Sequence, residues 1–148
     1  MITDAVANGG LLMKPYEIDH VETSEGKVIK QNKPEEYGSL MTPDESQKLT
    51  ELMKDVVEEG TGKKLRDAGY TAAGKTGSAE YDNIKGDSHA WFTGFAPADD
   101  PQICVTVIIE GAGSGGDYAV PVAKRIFDRY FADRDSTTEN ASSVETAQ

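Results

Sequence analysis

The 148-residue sequence has one cysteine and two histidines, and this scarcity excludes several kinds of site. A single cysteine, Cys104, cannot form a disulfide within the chain. Because it lies in the apolar run QICVTVIIE, we expect it to pack in the core rather than act as a nucleophile. His20 and His89 are far apart, and no cysteine and histidine cluster has zinc spacing. The sequence therefore predicts no metal and no cofactor.

Long apolar runs and an excess of positive charge are also missing. No run of about 18 apolar residues is present to span a bilayer, and no basic start precedes an apolar stretch as in a signal peptide. The formal net charge of −11 argues against nucleic acid as a partner, which requires a basic surface. The remaining composition, 37% apolar and 28% charged, indicates one globular domain or a piece of one.

The first third of the chain predicts a helix end and two short strands. MITDAVANGG is typical of the end of a helix that Asn-Gly-Gly stops. Because no N-cap precedes it, we expect upstream sequence to be missing before Met1. Residues 14–31 predict two strands around a Ser-Glu-Gly turn, and residues 31–41 predict a polar loop. Thr42 then opens a capping box with proline at the first helical position, which predicts a helix over 43–59.

The remainder predicts a sheet and a second helix. Residues 71–81, 89–96 and 102–110 have the composition of strands, the first two joined as a hairpin by DNIKGD. The third is nearly continuous and β-branched, which is typical of a central strand covered on both faces. The turn GAGSGGD leads into a last helix, whose apolar stripe is Ala119, Val122, Ala123, Ile126, Phe127 and Tyr130. The fold class is α+β, a short antiparallel sheet flanked by helices.

The stretch GYTAAGKTGSAEY matches two unrelated motifs. Gly69 to Thr76 fits the phosphate-loop pattern, whereas Lys75-Thr76-Gly77 fits the triplet of enzymes that acylate a serine with penicillin-like substrates. A phosphate loop needs a buried strand before it and a helix beginning at the Lys-Thr. Here KKLRDA precedes and GSAEYDNIKGD follows, so the surroundings argue against the nucleotide interpretation.

Two further matches are rejected on their surroundings. Gly111-x-Gly113-x-x-Gly116 fits the dinucleotide fingerprint, but no later strand completes a βαβ unit. Ser24-Glu-Gly-Lys27 fits Ser-x-x-Lys, the pattern that places a nucleophile and its base on one helical face. Glu-Gly between two strands forms a turn instead, so we expect this match to be accidental.

The Lys-Thr-Gly stretch suits an edge strand that binds a peptide. Alternation places Lys75 and Gly77 on one face and Thr76 and Ser78 on the other. Without a side chain at Gly77, a ligand backbone can approach and pair with the strand. The two hydroxyls can donate to a carboxylate, and the Ser78 amide can donate to a developing oxyanion. Such a strand binds and polarises an acyl donor but contains no nucleophile.

Five segments, taken in order and spacing, resemble the C-terminal half of a class B penicillin-binding protein transpeptidase domain. They are AVANGGLLMKPY, MTPDESQKLTELMKDVVEEGTG, AAGKTGSAEY, HAWFTGFAPADDPQICVTVIIEG and AVPVAKRIFDRYF. The resemblance covers roughly residues 2–131, which we take as part of that penicillin-binding, serine β-lactamase-like domain. Residues 132–148 contain almost no large apolar residue and are expected to be a disordered tail.

The resemblance implies a D,D-transpeptidase that cross-links peptidoglycan, in which a serine attacks the D-Ala-D-Ala stem peptide and β-lactams acylate the same serine. It implies that Thr76 and Ser78 bind the substrate carboxylate with Gly77 between them. The Ser78 amide would form half of the oxyanion hole, and Lys75 would tune the field around the proton relay. On the next strand, it implies a structural role for His89, as it does for Trp91, Phe92 and Gly94.

The chain departs from the family pattern in its catalytic motifs. The family's Ser-x-x-Lys and Ser-x-Asn motifs lie upstream of the ANGG segment in which this chain begins, and Tyr81-Asp82-Asn83 comes after Lys-Thr-Gly, in the wrong order. We therefore expect this chain to be inactive alone, with the missing N-terminal half of the domain as its partner. The parent would be anchored outside the cytoplasmic membrane. The alternatives are a non-catalytic or self-associating module and a nucleotide binder.

Overall fold

The computed structural model describes residues 1–80 and 88–145, with side chains up to Arg134. The chain divides into two compact units, Met1–Leu49 and Thr50–Gln148. The elements, in chain order, are α1 Ile2–Ala7, β1 Leu11–Met13, β2 His20–Glu22, β3 Val28–Gln31, β4 Glu36–Ser39, α2 Pro43–Glu58, a 3₁₀ turn Lys63–Leu65, β5 Ala73–Glu80, β6 Ser88–Ala96, β7 Ile103–Ile109, a π-helical turn Gly115–Ala119 and α3 Val120–Glu145. In the described residues, no helix is both long and apolar enough to cross a membrane.

The first unit contains two small antiparallel pairs. β2 pairs with β3, which confirms the predicted hairpin. β1 pairs with β4, with Leu11 opposite Ser39, so the prediction of a loop over residues 31–41 was wrong. The segment Glu36–Ser39 has weak strand propensity of its own. Its pairing with β1, more than twenty residues earlier along the chain, depends on contacts that local composition does not encode.

Helix α2 begins as its sequence predicts. The Thr42 hydroxyl accepts the Glu45 amide at 3.3 Å, and the Glu45 carboxylate accepts the Thr42 amide at 2.8 Å. The Glu45 carboxylate accepts bonds from the Thr42 amide and, second, from the Thr42 hydroxyl, and these bonds lower the pKa of Glu45. At the other end, a Cβ on Gly60 would lie 2.9 Å from the Val56 carbonyl oxygen, so glycine allows the chain to turn there.

The second unit is built on a three-stranded antiparallel sheet in the order β5-β6-β7. The three predicted strands are confirmed, whereas the loop DNIKGD lies outside the described residues. The prediction that the third strand is central was wrong, because β7 lies at an edge of the sheet that the described residues form. Val105 and Val107 on one face of β7 are buried, whereas Ile108 on the other face is 46% exposed. A β-branched composition reports strand propensity and does not report position within a sheet.

Helix α3 covers one face of this sheet. The core joins aromatic and aliphatic side chains from β6, β7 and the helix, among them Phe92, Val107, Val120, Ala123 and Phe127. Val122 and Ile126, predicted to share the apolar stripe, are exposed instead. The helix begins after a π-helical turn. The face that packs against the sheet is narrow and consists of Val120, Ala123 and Phe127.

The backbone of α3 continues as helix to Glu145. The sequence predicts a disordered tail from residue 132, so the two descriptions differ over that segment. The division of the chain at residue 131 stays a prediction.

Tyr70 connects the loop before β5 to α3. Its hydroxyl donates to the Asp128 carboxylate at 2.8 Å, and its ring lies 4.8 Å from the ring of Phe131. Burial, followed by the bond to Asp128, raises the pKa of Tyr70 well above its usual range. At Asp128, burial opposes ionisation, but hydrogen bonds from Lys124 and Tyr70 outweigh it and lower the pKa.

Replacing Tyr70 with phenylalanine is expected to lower the free energy of unfolding by about 1 kcal/mol at neutral pH, the net value of one hydrogen bond. The neutral phenol is the stabilising form, so this contribution is complete below the ordinary tyrosine pKa of about 10 and is lost as pH rises through the raised value. Denaturant unfolding at pH 7 and at alkaline pH measures it, with the exposed Tyr37→Phe as control. A Tyr70→Phe deficit that does not shrink above pH 10 would contradict this reasoning.

Candidate functional site

The Lys-Thr-Gly-Ser stretch lies in the middle of β5, at the edge of the sheet. Within the part of the chain that the structure describes, β6 is the strand paired with it. Lys75 is opposite Thr93 and Gly77 is opposite Trp91. The predicted extended edge strand is therefore confirmed. No helix begins at Lys75, which excludes the phosphate-loop geometry.

The two hydroxyls of this stretch have different surroundings. Thr76 lies opposite Phe92 on the face that α3 covers, and only 8% of it is exposed. Its hydroxyl is hydrogen bonded to the hydroxyl of Thr61. Ser78 lies two residues further along the same face and is exposed. Sequence reasoning grouped both hydroxyls as free donors and did not identify Thr61.

Lys75 is exposed on the opposite face of β5. Its ammonium donates to the carbonyl oxygen of Thr76 at 2.6 Å, so the positive charge lies along the strand. Amide and carbonyl groups alternate in direction along a strand, so Thr76 and Ser78 direct theirs to the same side. The Thr76 carbonyl, which the Lys75 ammonium reaches, and the Ser78 amide therefore point toward the same side of β5.

Residues of the neighbouring strand β6 hold β5 in place. The ring nitrogen Nδ1 of His89 accepts the Gly111 amide at 3.0 Å, which ties β6 to the turn after β7. Phe92 is fully buried, and a Cβ on Gly94 would lie 2.5 Å from the Ala73 carbonyl oxygen. These contacts agree with the structural role expected of His89, Phe92 and Gly94.

Gly74 and Gly77 of β5 differ in whether packing requires the absence of a side chain. A Cβ on Gly74 would lie 2.5 Å from the Phe92 ring, so core packing excludes a side chain there. A Cβ on Gly77 would meet only the Cβ of Trp91, at 3.4 Å, which is ordinary van der Waals distance. Packing among the described residues therefore does not require glycine at position 77, and the strand has no side chain there on the face that it shares with Lys75.

A glycine turn supports the strand from the side of α3. A Cβ on Gly115 would lie 2.3 Å from the Trp91 carbonyl oxygen and 2.5 Å from that of Gly77, and one on Gly116 would lie 2.6 Å from that of Thr61. The π-helical turn therefore lies in backbone contact with both β5 and the loop after α2. The sequence showed GAGSGGD only as a turn, because this close approach is a tertiary feature.

An ion pair joins the same two segments. The Lys64 ammonium lies 3.0 Å from the Asp117 carboxylate and also reaches the Asp117 carbonyl oxygen at 3.3 Å. The bond from Lys64, followed by one from Ser114, lowers the pKa of Asp117. The pair is exposed, so its contribution to stability is small.

The other motif matches lie away from this site. Gly111 and Gly113 have φ of 63° and 88° in the bend that precedes the π-helical turn. Ser24 and Lys27 lie at the turn between β2 and β3, where no helix brings them onto one face. In the described ranges, no group of three metal-binding side chains comes together.

Comparison with known proteins shows the family to which the chain is similar. The family model for the penicillin binding protein transpeptidase domain matches residues 1–128. The peptidoglycan D,D-transpeptidase PbpA of Mycolicibacterium smegmatis is 33% identical over 130 residues, which cover 83% of this chain and 26% of that protein. The peptidoglycan D,D-transpeptidase MrdA of Haemophilus influenzae is 33% identical over 151 residues, covering 89% and 23%.

A solved structure shows the same architecture. Penicillin-binding protein A from M. tuberculosis, as a ceftriaxone acyl-enzyme complex, superposes with a TM-score of 0.79 at 30% identity, over 86% of this chain and 30% of that one. This chain thus spans 26% and 23% of the length of the two curated relatives. The alternatives of a self-associating module and a nucleotide binder gain no support from these similarities.

Proposed function

Because the chain belongs to the penicillin-binding protein transpeptidase family, we propose that it provides the substrate-binding strand of a peptidoglycan D,D-transpeptidase. The observation that carries this proposal is the room at the side-chain position of Gly77, on an edge strand and on the same face as Lys75. A peptide that ends in D-Ala-D-Ala lies along β5 and pairs with its free backbone groups. The β-lactam in the solved acyl-enzyme relative is a compact mimic of such a peptide.

The residues of β5 have separate roles in this proposal. The hydroxyls of Thr76 and Ser78 donate to the terminal carboxylate of the peptide. The amide of Ser78 donates to the carbonyl oxygen of the bond that breaks, where negative charge develops in the transition state. The ammonium of Lys75 favours that charge and the ionised carboxylate alike.

The nucleophile comes from a segment outside this sequence. A serine hydroxyl attacks the penultimate D-Ala carbonyl, the peptide bond breaks, and the terminal D-Ala leaves as the amine after accepting a proton. An amine on a neighbouring peptidoglycan strand then attacks the acyl carbonyl and displaces the serine. The one Ser-x-x-Lys match here, Ser24 to Lys27, lies in a hairpin turn, so the complementary part of the domain supplies the serine and its base. We place the assembled enzyme outside the cytoplasmic membrane, anchored by a segment that is not in this sequence.

Amide chemical shifts test the binding proposal on the chain itself. We expect an N-acyl-D-Ala-D-Ala peptide to shift the amide resonances of Thr76, Gly77 and Ser78 in ¹⁵N-labelled protein. The same peptide with a C-terminal carboxamide should shift them less, because it lacks the charge. Shifts centred on another surface, or equal responses to the two peptides, would contradict the proposal.

Replacing Gly77 with alanine should separate binding from stability. The new methyl group has room beside Trp91, so the free energy of unfolding should change by less than about 0.5 kcal/mol. Peptide affinity should fall at least about tenfold, a loss of about 1.4 kcal/mol, because the methyl group stands between ligand and strand. Gly38→Ala is a matched control, since its Cβ has no neighbour within 4 Å. Unchanged affinity in Gly77→Ala would show that the ligand does not cross this position.

A further inference from the structure

Thr61, in the loop after α2, contacts the proposed binding strand through its side chain. Its hydroxyl is hydrogen bonded to that of Thr76, and either oxygen can be the donor. The residue is exposed, yet the backbone around it is fixed. The Gly60 amide donates to the backbone carbonyl oxygen of Asp55 at 3.1 Å, and the Gly62 amide donates to that of Val56 at 2.9 Å. The backbone of the π-helical turn lies against the Thr61 carbonyl through Gly116.

The direction of this hydrogen bond decides what Thr76 can offer to a ligand. A hydroxyl has one proton to donate and two lone pairs to accept with. If Thr76 donates to Thr61, it presents only lone pairs to a carboxylate, and the two repel. If Thr61 donates to Thr76, the proton of Thr76 is free for the carboxylate. The two hydroxyls then form a chain of donors that ends on the anion, and each bond polarises the next.

We infer that Thr61 is a positioning residue for carboxylate recognition, which donates its hydroxyl proton to Thr76 and so directs the Thr76 proton toward the ligand. The inference rests on the proposed function and extends it to a residue outside β5. Thr61 acts through Thr76 and does not itself contact the ligand. The ligand class is a peptide or β-lactam with a free carboxylate, and the effect is confined to ligands that carry that charge.

The test is the ratio of affinities for the acid and carboxamide forms of N-acyl-D-Ala-D-Ala, measured by amide chemical shifts on the full chain. Thr61→Val keeps the shape and removes the hydroxyl, whereas Thr61→Ser keeps the hydroxyl. We expect Thr61→Val to lower the acid-to-amide ratio by about two- to threefold, because Thr76 keeps its own bond to the carboxylate but loses the neighbour that orients and polarises its hydroxyl. Thr61→Ser should retain the wild-type ratio, a rescue that a packing role for the methyl group would not give.

A double-variant cycle shows whether Thr61 acts through Thr76. Thr76→Val should lower the ratio by itself, and adding Thr61→Val should lower it no further. Additive losses would mean that Thr61 contacts the ligand directly, and would overturn the inference. Should Thr61→Val fail to fold, Thr61→Ala removes the same hydroxyl from an exposed position and is judged by the same ratio.

The outcomes distinguish this inference from the proposed function. If wild-type protein shows no preference for the acid, or binds neither peptide, the carboxylate-binding role of β5 fails and the inference fails with it. If Thr76→Val loses the preference while Thr61→Val keeps it, only the inference is overturned. A reduced preference in Thr61→Val, with rescue in Thr61→Ser, supports both.

Discussion

A fluorescent penicillin is expected to leave the purified 148-residue chain unlabelled after denaturing electrophoresis. Acylation needs a serine whose proton a neighbouring base accepts. Ser24 and Lys27 lie at an exposed hairpin turn, and Ser78 lies on the face of β5 opposite to Lys75. Loss of an activated serine nucleophile lowers the rate on the order of a millionfold, so no band should be visible where an intact transpeptidase gives a strong one.

The control for this experiment adds back the missing chemistry. A polypeptide that carries the serine motif of the family should become labelled when it is mixed or co-produced with this chain, and the label should lie on that polypeptide. A band at the mass of this chain that survives boiling would contradict the prediction. Ser24→Ala and Ser78→Ala would then show which serine had reacted.

Replacing Gly115 with alanine is expected to destabilise the protein by about 3 kcal/mol, the upper end of the cost of overpacking. The new Cβ would lie 2.3 Å and 2.5 Å from two backbone carbonyl oxygens, those of Trp91 and Gly77. Backbone in a paired sheet cannot move aside as a side-chain tip can. The π-helical turn must therefore lift from β5, which also uncovers the core beneath α3.

Thermal unfolding measures this effect. For a protein of this size, about 3 kcal/mol corresponds to a fall in Tm of roughly 10 °C. Gly38→Ala is the control, since it adds the same methyl group where no atom lies within 4 Å, and its Tm should stay within about 2 °C of wild type. A Gly115→Ala protein as stable as this control would show that the turn does not approach β5 as closely as described.

Local chemistry in the sequence predicted the elements whose signals are local. The capping box at Thr42 located the start of α2, because its hydrogen bonds join residues three apart. The hairpin of β2 and β3 follows from a short turn between two alternating runs. The position of Lys75 in an extended edge strand followed from what flanks it, a loop before it and Gly-Ser after it.

The remaining features depend on contacts between distant segments. The pairing of β1 with β4 joins residues far apart in sequence, and nothing in LLM or EYGS indicates it. The edge position of β7 depends on which strands lie beside it, which its β-branched run cannot specify. The contact between Thr61 and Thr76 requires the loop after α2 to be held against β5. The alternation of a strand predicts on which face of the sheet a hydroxyl lies, but it does not predict the residue to which that hydroxyl is hydrogen bonded.

Intermolecular nuclear Overhauser effects between a D-Ala-D-Ala peptide and this chain test the central claim most directly. With ¹³C-methyl-labelled peptide, we expect contacts from the terminal D-Ala methyl group to the amide protons of Gly77 and Ser78 and to the side chain of Thr76. Peptide contacts confined to other surfaces, with β5 unaffected at saturating peptide, would contradict the account.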